Sequence, residues 1–186
     1  MISTGEEEDF HIFTVQRQVA VSPRTQLPHD LVIVHANDWV NVIAITPDDQ
    51  VVLIEQYRHG ISGVTLEIPG GIIETGEKPL EAGVRELREE SGFAPHVGED
   101  VTLLGQAHAN PAYQSNVVYS VLVRDARRVG ELQQDGGEDI AVRLVPLADI
   151  PDLIQSGQIT HALVIVAFHL LALRPSSSKS DHRTWF

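Results

Sequence analysis

Residues 71–93 read GIIETGEKPLEAGVRELREESGF, a glycine turn that leads into a short helix rich in carboxylates. Glu86, Glu89 and Glu90 fall within an arc of roughly 100° on one face of that helix, because each residue turns the chain by about 100°. Carboxylates held this close repel one another. Divalent cations bound through oxygen ligands would convert that repulsion into a binding site, so the stretch predicts a metal site for phosphate chemistry.

A surface helix with mixed charge and salt bridges is the alternative interpretation. It accounts for Lys78, Glu81 and Arg88. It does not account for the glycines at 70–71 that precede the helix, or for three acids on one side.

The stretch resembles the Nudix box, the signature of hydrolases that cleave nucleoside diphosphates linked to another moiety. That motif is Gly, five residues, Glu, seven residues, Arg-Glu, an aliphatic residue, any residue, Glu-Glu, any residue, Gly and an apolar residue. The residues that meet the fixed positions are Gly71, Glu77, Arg85, Glu86, Leu87, Glu89, Glu90, Gly92 and Phe93. The resemblance implies an α/β fold, the Nudix α/β/α sandwich, with a mixed central sheet, an N-terminal β segment and C-terminal helices.

The same resemblance implies roles for residues in and beside the box. The implied metal ligands are Glu86, Glu89 and Glu90, with the backbone carbonyl of Gly70. Mg²⁺ suits them because it prefers a few carboxylates and keeps several waters, and Mn²⁺ is a possible substitute. Arg85 lies four residues before Glu89, near enough to orient it, and is implied to pair with Glu77 behind the metal ligands.

Two glutamates are candidates for the catalytic base. In the Nudix family it is a glutamate of the box or one from a downstream loop. Glu86 is the candidate in the box. Glu138 is the candidate in the loop QQDGGED, where two glycines before it would let it swing inwards. The alternative for Glu138 is a solvated loop acid beside Asp135 and Asp139.

A second resemblance, outside the box, is to the ADP-ribose (nucleoside diphosphate sugar) pyrophosphatase branch. It rests on residues 55–58 (EQYR), residues 66–71 (LEIPGG) and the C-terminal DLIQSGQITHALVIVAFHLL. Arg58 would offer a bidentate fork to a phosphate, or form an ion pair at a strand end. Glu67 would hydrogen-bond the substrate or position its loop. Tyr113 would stack on a base or cap the edge of the core.

Two stretches depart from that branch. Residues 69–71 read Pro-Gly-Gly where the branch commonly shows Pro-Ala-Gly. Residues 109–116, ANPAYQSN, replace its more usual Ser-Pro-Gly stretch. The substrate within the branch is therefore left open.

Composition excludes several other classes of protein. The chain has 186 residues, a formal net charge of −13 and a pI near 4.9, without a Lys/Arg-rich run. It therefore lacks the basic footprint of a partner for nucleic-acid duplexes or anionic membranes. It has no cysteine, so disulfides, zinc–thiolate sites and thiol catalysis are excluded. With no signal peptide and no run of 18 apolar residues, we expect a cytoplasmic protein.

Hydrophobic patterns and breakers predict the following elements. Strands are expected near 10–21, 31–36, 40–46, 51–57, 66–68, 101–108, 116–123 and 139–146, and helices from near Pro79 to Gly92, at 147–155 and at 160–173. Pro47-Asp48-Asp49 reads as a hairpin turn, and Leu80, Val84 and Leu87 as the inner stripe of the box helix. The predicted organisation is a flexible acidic N-terminus (1–9), an N-terminal β segment (10–36), the Nudix domain (37–174) and a flexible tail (175–186).

The resemblance also implies a homodimer, because N-terminal strands in that branch often pair with a second subunit. Histidines form no metal-binding spacing such as HExxH, and His161 and His169 are predicted to lie on a packing face.

Three functions are compatible with the sequence. The first is a Mg²⁺-dependent pyrophosphatase acting on ADP-ribose or a related nucleotide sugar. The second is a nucleoside triphosphate pyrophosphohydrolase, and the third is a non-catalytic Nudix-fold binding module, against which the intact box carboxylates argue.

Overall fold

The computed structural model describes residues 3–96, 101–130 and 139–174. In these ranges the strands are β1 (Ser3–Asp9), β2 (Phe13–Val21), β3 (Pro28–Ala36), β4 (Trp39–Ala44), β5 (Gln50–Arg58), β6 (Gly63–Glu67), β7 (Gly70–Ile72), β8 (Phe93–Pro95), β9 (Val101–His108), β10 (Val117–Val123), β11 (Ala126–Arg128) and β12 (Ile140–Pro146). The α-helices of the same ranges are α1 (Pro79–Ser91), α2 (Ile150–Gln155) and α3 (Ala162–Ala172), and a 3-10 turn (Leu147–Asp149) precedes α2.

A mixed sheet lies at the centre, with strand order β7-β4-β10-β9. Strand β4 is parallel to β10 and antiparallel to β7. Its side chains alternate between two buried clusters. Val40 and Val42 pack with Leu87 of α1, while Ile43 packs with Phe168 of α3. The sheet is therefore covered by helices on both faces, which confirms the predicted α/β/α sandwich.

The turn at Pro47–Asp49 forms, but it does not join two strands of one sheet. The Thr46 carbonyl accepts a hydrogen bond from Asp49, and Ile45 and Val51 make a single antiparallel bridge. Beyond that bridge, β5 pairs with β6 and β12 in a separate antiparallel sheet. The predicted hairpin is wrong because the hydrogen-bonding edges of β4 are already taken by β7 and β10.

The N-terminal strands form a third sheet, of order β1-β2-β3. The prediction that residues 1–9 are flexible is wrong for Ser3–Asp9, which pair antiparallel with β2. All seven residues of β1 are exposed, so their acidic side chains reach water while the backbone groups are paired. Residues 175–186, predicted to be a flexible tail, lie outside the described residues.

Helix α1 packs against the sheet through small residues. Ala82, Gly83 and Leu87 are buried, whereas Leu80 is 37% exposed and Val84 is only partly buried. The predicted Leu80–Val84–Leu87 stripe is therefore wrong except at Leu87. A Cβ atom on Gly83 would lie 3.1 Å from the Val42 side chain, so the helix approaches β4 closely and its acidic face lies beside β7. Gly92 ends the helix in the left-handed conformation, as predicted.

The C-terminal helices cover the other face of the sheet. Ile150 and Leu153 of α2 are buried with Val164 and Phe168 of α3. None of the helices in the described ranges has the length and apolar composition that a membrane span requires.

Candidate active site

Two consecutive glycines bring the backbone of β7 against β4 and α1. A Cβ atom on Gly70 would overlap the carbonyl oxygen of Val40 and lie 2.9 Å from Oδ1 of Asn41. A Cβ atom on Gly71 would overlap the Glu86 carboxylate, whose farther oxygen would be 2.6 Å away. The close approach explains Pro-Gly-Gly at 69–71, because an alanine at position 70 would collide with the neighbouring backbone.

Arg85 is the centre of the hydrogen-bond network on this face. Its Nε and Nη2 donate to the two carboxylate oxygens of Glu77, at 2.9 and 3.0 Å. Its Nη1 donates to Glu86 at 2.7 Å and to Glu89 at 3.1 Å, and Nη2 also reaches the Ile72 carbonyl at 2.9 Å. One side chain therefore ties the box turn to two carboxylates of the helix.

The charges in this network stabilise one another. Hydrogen bonds from Arg85 hold the pKa of Glu77 below its ordinary value despite some desolvation. Hydrogen bonds to Glu77 and, less strongly, to Glu86 and Glu89 raise the pKa of Arg85 above its ordinary range. The guanidinium therefore stays charged at every pH at which the protein is folded.

Glu90 lies apart from Arg85 and is buried. It is 4% exposed, and its Oε2 accepts a hydrogen bond of 2.8 Å from the backbone N–H of Gly70. The side chains of Glu86 and Glu89, in contrast, are 12% and 39% exposed. The three carboxylates of the predicted arc thus have three different environments around the Gly70–Gly71 turn.

The chemistry of this donor set fits a divalent cation. Glu77, Glu86, Glu89 and Glu90 bring four negative charges, of which the Arg85 guanidinium neutralises one. Oxygen ligands with excess negative charge are what Mg²⁺ and Mn²⁺ prefer. Within residues 3–96, 101–130 and 139–174, no three acidic or histidine groups already converge as metal ligands do. Arg85 holds Glu86 and Glu89 by one carboxylate oxygen each.

A second charged pair lies across strands β5 and β6. Arg58 Nε and Nη2 each donate to a carboxylate oxygen of Glu67 at 2.8 Å, and the Thr65 hydroxyl donates to the same carboxylate at 2.6 Å. Burial of Glu67, which is 3% exposed, opposes its ionisation. Hydrogen bonds from Arg58 and Thr65, and the charges of Arg58 and His161, outweigh burial and lower the pKa of Glu67.

Comparison with known proteins decides the family. The model of the NUDIX domain matches residues 35–166, most of the chain. This chain belongs to the Nudix family. It is a Nudix hydrolase similar to ADP-ribose pyrophosphatases, and the box of α1 is the box of that family.

Individual relatives agree with that assignment. The ADP-ribose pyrophosphatase of Bacillus subtilis (strain 168) is 27% identical over 136 residues, which cover 73% of this chain and 72% of that protein. ADP compounds hydrolase NudE of Escherichia coli (strain K12) is 32% identical over 124 residues, 67% of this chain and 64% of that protein. A crystal structure of an ADP compounds hydrolase matches with a TM-score of 0.80 and 26% identity, covering 91% of this chain and 90% of that one.

Tyr113, a predicted site residue, is not part of this cluster. Tyr113 is 45% exposed, and within the described residues it does not line the pocket that contains Arg58 and Glu67. Its carbonyl accepts a hydrogen bond of 2.8 Å from Val34 of β3. Glu138, the alternative base, lies outside the described residues.

Three polar residues that were not predicted as site residues line the pocket beside Gly70, namely Asn41, Asn116 and His161. His161 precedes α3 instead of packing on its face, and His169 is exposed, so the predicted packing face is wrong for both. A signal was available for one of the three. Asn41 interrupts the apolar run WVNVIAI, and a polar residue inside a buried strand calls for a partner.

Proposed function

We propose that this chain is a Mg²⁺-dependent pyrophosphatase that splits ADP-ribose or a related nucleoside diphosphate sugar into a nucleoside monophosphate and a sugar phosphate. The observation that carries the proposal is the set of box carboxylates held around the Gly70–Gly71 turn by Arg85. The named activities of the two similar bacterial proteins support the choice of substrate class.

The proposed reaction is the addition of water across the diphosphate. The water oxygen forms a bond to one phosphorus as the bond from that phosphorus to the bridging oxygen breaks, and the leaving phosphate keeps the electron pair. The proton of the water passes to a glutamate, either Glu86 or Glu138. Glu86, Glu89, Glu90 and the Gly70 carbonyl would hold the cation, which when bound supplies positive charge to the phosphate oxygens.

The other site residues have positioning and binding roles in this proposal. Arg85 and Glu77 orient the carboxylates, since the guanidinium contacts both Glu86 and Glu89. Arg58 binds a phosphate of the substrate while Glu67 fixes the orientation of its guanidinium. Tyr113 would contact the nucleotide from the 109–116 loop.

A screen of nucleotide sugars and nucleoside triphosphates, with and without Mg²⁺, tests the proposal. We expect AMP and ribose 5-phosphate from ADP-ribose, and no turnover in EDTA. Glu90→Gln should lower kcat at least 100-fold, because the amide keeps an acceptor for the Gly70 N–H but removes the charge that the cation requires. Its Tm should stay close to that of the wild type.

Glu81→Gln is the matched control, since Glu81 is an exposed residue of the same helix that pairs with Lys78. It should leave kcat unchanged. Pyrophosphate as the product of nucleoside triphosphates, with nucleotide sugars untouched, would support the pyrophosphohydrolase instead. An unchanged kcat in the Glu90→Gln variant would refute the metal assignment.

A further inference from the structure

A pocket of about 570 Å³ lies beside the box turn, between strands β4 and β6 and the start of α3. Gly70 and the Arg58–Glu67 ion pair form part of its wall, together with Asn41, Asn116 and His161. Its size is in the range of pockets that hold small molecules, about 300–1,000 Å³. Because it shares Gly70 with the proposed diphosphate site, it can receive a group attached to that diphosphate.

Three buried polar atoms in this wall lack hydrogen-bond partners within the described residues. They are Nδ2 of Asn41, Oδ1 of Asn116 and Nδ1 of His161. Asn41 as a whole is only 3% exposed. Such an atom has lost its hydrogen bonds to water without replacement, so native proteins rarely leave one without a functional reason. Three residues that carry such atoms line this one pocket, which indicates a polar ligand.

The backbone around each of these residues is firmly placed. Asn41 pairs with Gly70 of β7 on one side and with Ser120 of β10 on the other. His161 precedes α3, and its carbonyl accepts hydrogen bonds of 3.1 Å from both Val164 and Ile165. Its side chain makes no capping hydrogen bond to the helix, and the residue lines the pocket.

Asn116 is placed by strand β3 and the residue before β4. Val34 donates a hydrogen bond of 2.8 Å to the Tyr113 carbonyl and accepts one of 3.2 Å from Ser115. The backbone N–H of Val117, directly after Asn116, donates to Oδ1 of Asp38 at 2.8 Å. The three polar groups are therefore preorganised, which lowers the entropic cost of binding.

The hydrogen-bond donors and acceptors of these groups indicate which part of a nucleotide sugar would bind here. The Asn41 amide nitrogen donates, the Asn116 amide oxygen accepts, and the His161 nitrogen does either according to its tautomer. A hydroxyl group both donates and accepts, so a polyhydroxylated ligand can satisfy all three. A phosphate only accepts, so it cannot pair with the Asn116 amide oxygen.

We propose that Asn41, Asn116 and His161 recognise the hydroxyl groups of the sugar half of the substrate and so set the preference for nucleoside diphosphate sugars over nucleoside triphosphates. This inference rests on the function proposed above. It adds three specificity-determining residues outside the box, which act on the part of the substrate that leaves as the sugar phosphate.

The test compares ADP-ribose with an ADP ester that carries a methyl group in place of the sugar. We expect His161→Ala and Asn116→Ala each to lower kcat/KM for ADP-ribose about tenfold, because a hydrogen bond to the sugar is lost. Neither should change kcat/KM for the methyl ester. His161→Asn, which keeps a polar atom near the position of Nδ1, should recover most of the loss. His169→Ala, on the exposed part of the same helix, is the control.

Each outcome has a distinct meaning. Equal losses on both substrates, or no loss on either, would refute the sugar contact while leaving the pyrophosphatase proposal intact. A wild-type enzyme that cleaves nucleoside triphosphates but not ADP-ribose would refute the proposed function and this inference with it. A lowered Tm in one alanine variant would not explain a selective loss, since both substrates are measured on the same protein.

Discussion

Gly71 determines where one carboxylate of the Nudix box lies. It is buried, and a side chain there would occupy the position of the Glu86 carboxylate. The displaced atoms would be the end of a flexible side chain rather than backbone, so the fold can accommodate the change by moving Glu86. Its neighbour Gly70 differs, because there a side chain would meet the backbone of β4.

Gly71→Ala should therefore separate activity from stability. We expect kcat to fall at least tenfold, since shifts of about 1 Å at a catalytic group can cost up to 100-fold. The free energy of unfolding should change by less than about 1 kcal/mol. Steady-state kinetics and urea denaturation measure the two. Gly63→Ala is the control, because its added Cβ would make only ordinary contacts, the nearest at 3.8 Å. A fully active Gly71→Ala enzyme would contradict this account.

Strands β5 and β6 hold a buried carboxylate that is paired with an arginine. Glu67 is almost fully buried at the end of β6, and Arg58 at the end of β5 supplies both hydrogen bonds of a bidentate pair. Its pKa is lowered from the ordinary value of 4.5 in the folded state. The pair therefore stabilises the fold above that value, and the contribution is lost as the pH falls through the lowered pKa.

Arg58→Ala should destabilise the protein in a pH-dependent way. At pH 7 we expect a loss of about 1–3 kcal/mol, less than for a fully buried pair because the Arg58 side chain is 34% exposed. The difference from wild type should shrink as the pH falls, because burial without Arg58 favours protonation of Glu67, and the neutral carboxyl no longer needs a charged partner. Urea denaturation between pH 3.5 and 7 measures this.

The comparison variant is Arg127→Ala, which removes the more exposed pair with Asp125. It should cost less than about 1 kcal/mol at pH 7. A loss in Arg58→Ala that is the same at every pH would show that the contact matters through packing and not through charge.

The N-terminal sheet exposes apolar side chains to solvent. Leu31 and Val32 of β3 are 38% and 47% exposed. Because they are consecutive in a strand, their side chains point to opposite faces of the sheet. The proposal of a homodimer through residues 10–36 rests mainly on the resemblance to a branch whose N-terminal strands pair between subunits.

Val32→Asp should convert the proposed dimer to a monomer, because dimerisation would bury the introduced carboxylate. Sedimentation equilibrium measures the mass. Val129→Asp is the matched control, since Val129 is 54% exposed on another part of the surface. A wild-type protein that sediments as a monomer would refute the dimer, as would a variant that remains dimeric.

Fold and box could be predicted from the sequence because both depend on local patterns. The apolar periodicity of β4 and β5, and the fixed spacing from Gly71 to Phe93, are properties of short stretches. The pocket could not be predicted in the same way. Asn41, Asn116 and His161 are 45 or more positions apart, and only the packing of β4, β10 and α3 brings them together.

The two hydrogen bonds between Val34 and the 109–116 loop have a consequence for how such enzymes diversify. They join backbone atoms, so they do not depend on which side chains the loop carries. Substitutions in the loop can accumulate while its backbone stays bonded to β3. New substrate preferences can therefore arise there by point mutation, in a lineage whose hydrolytic helix stays unchanged.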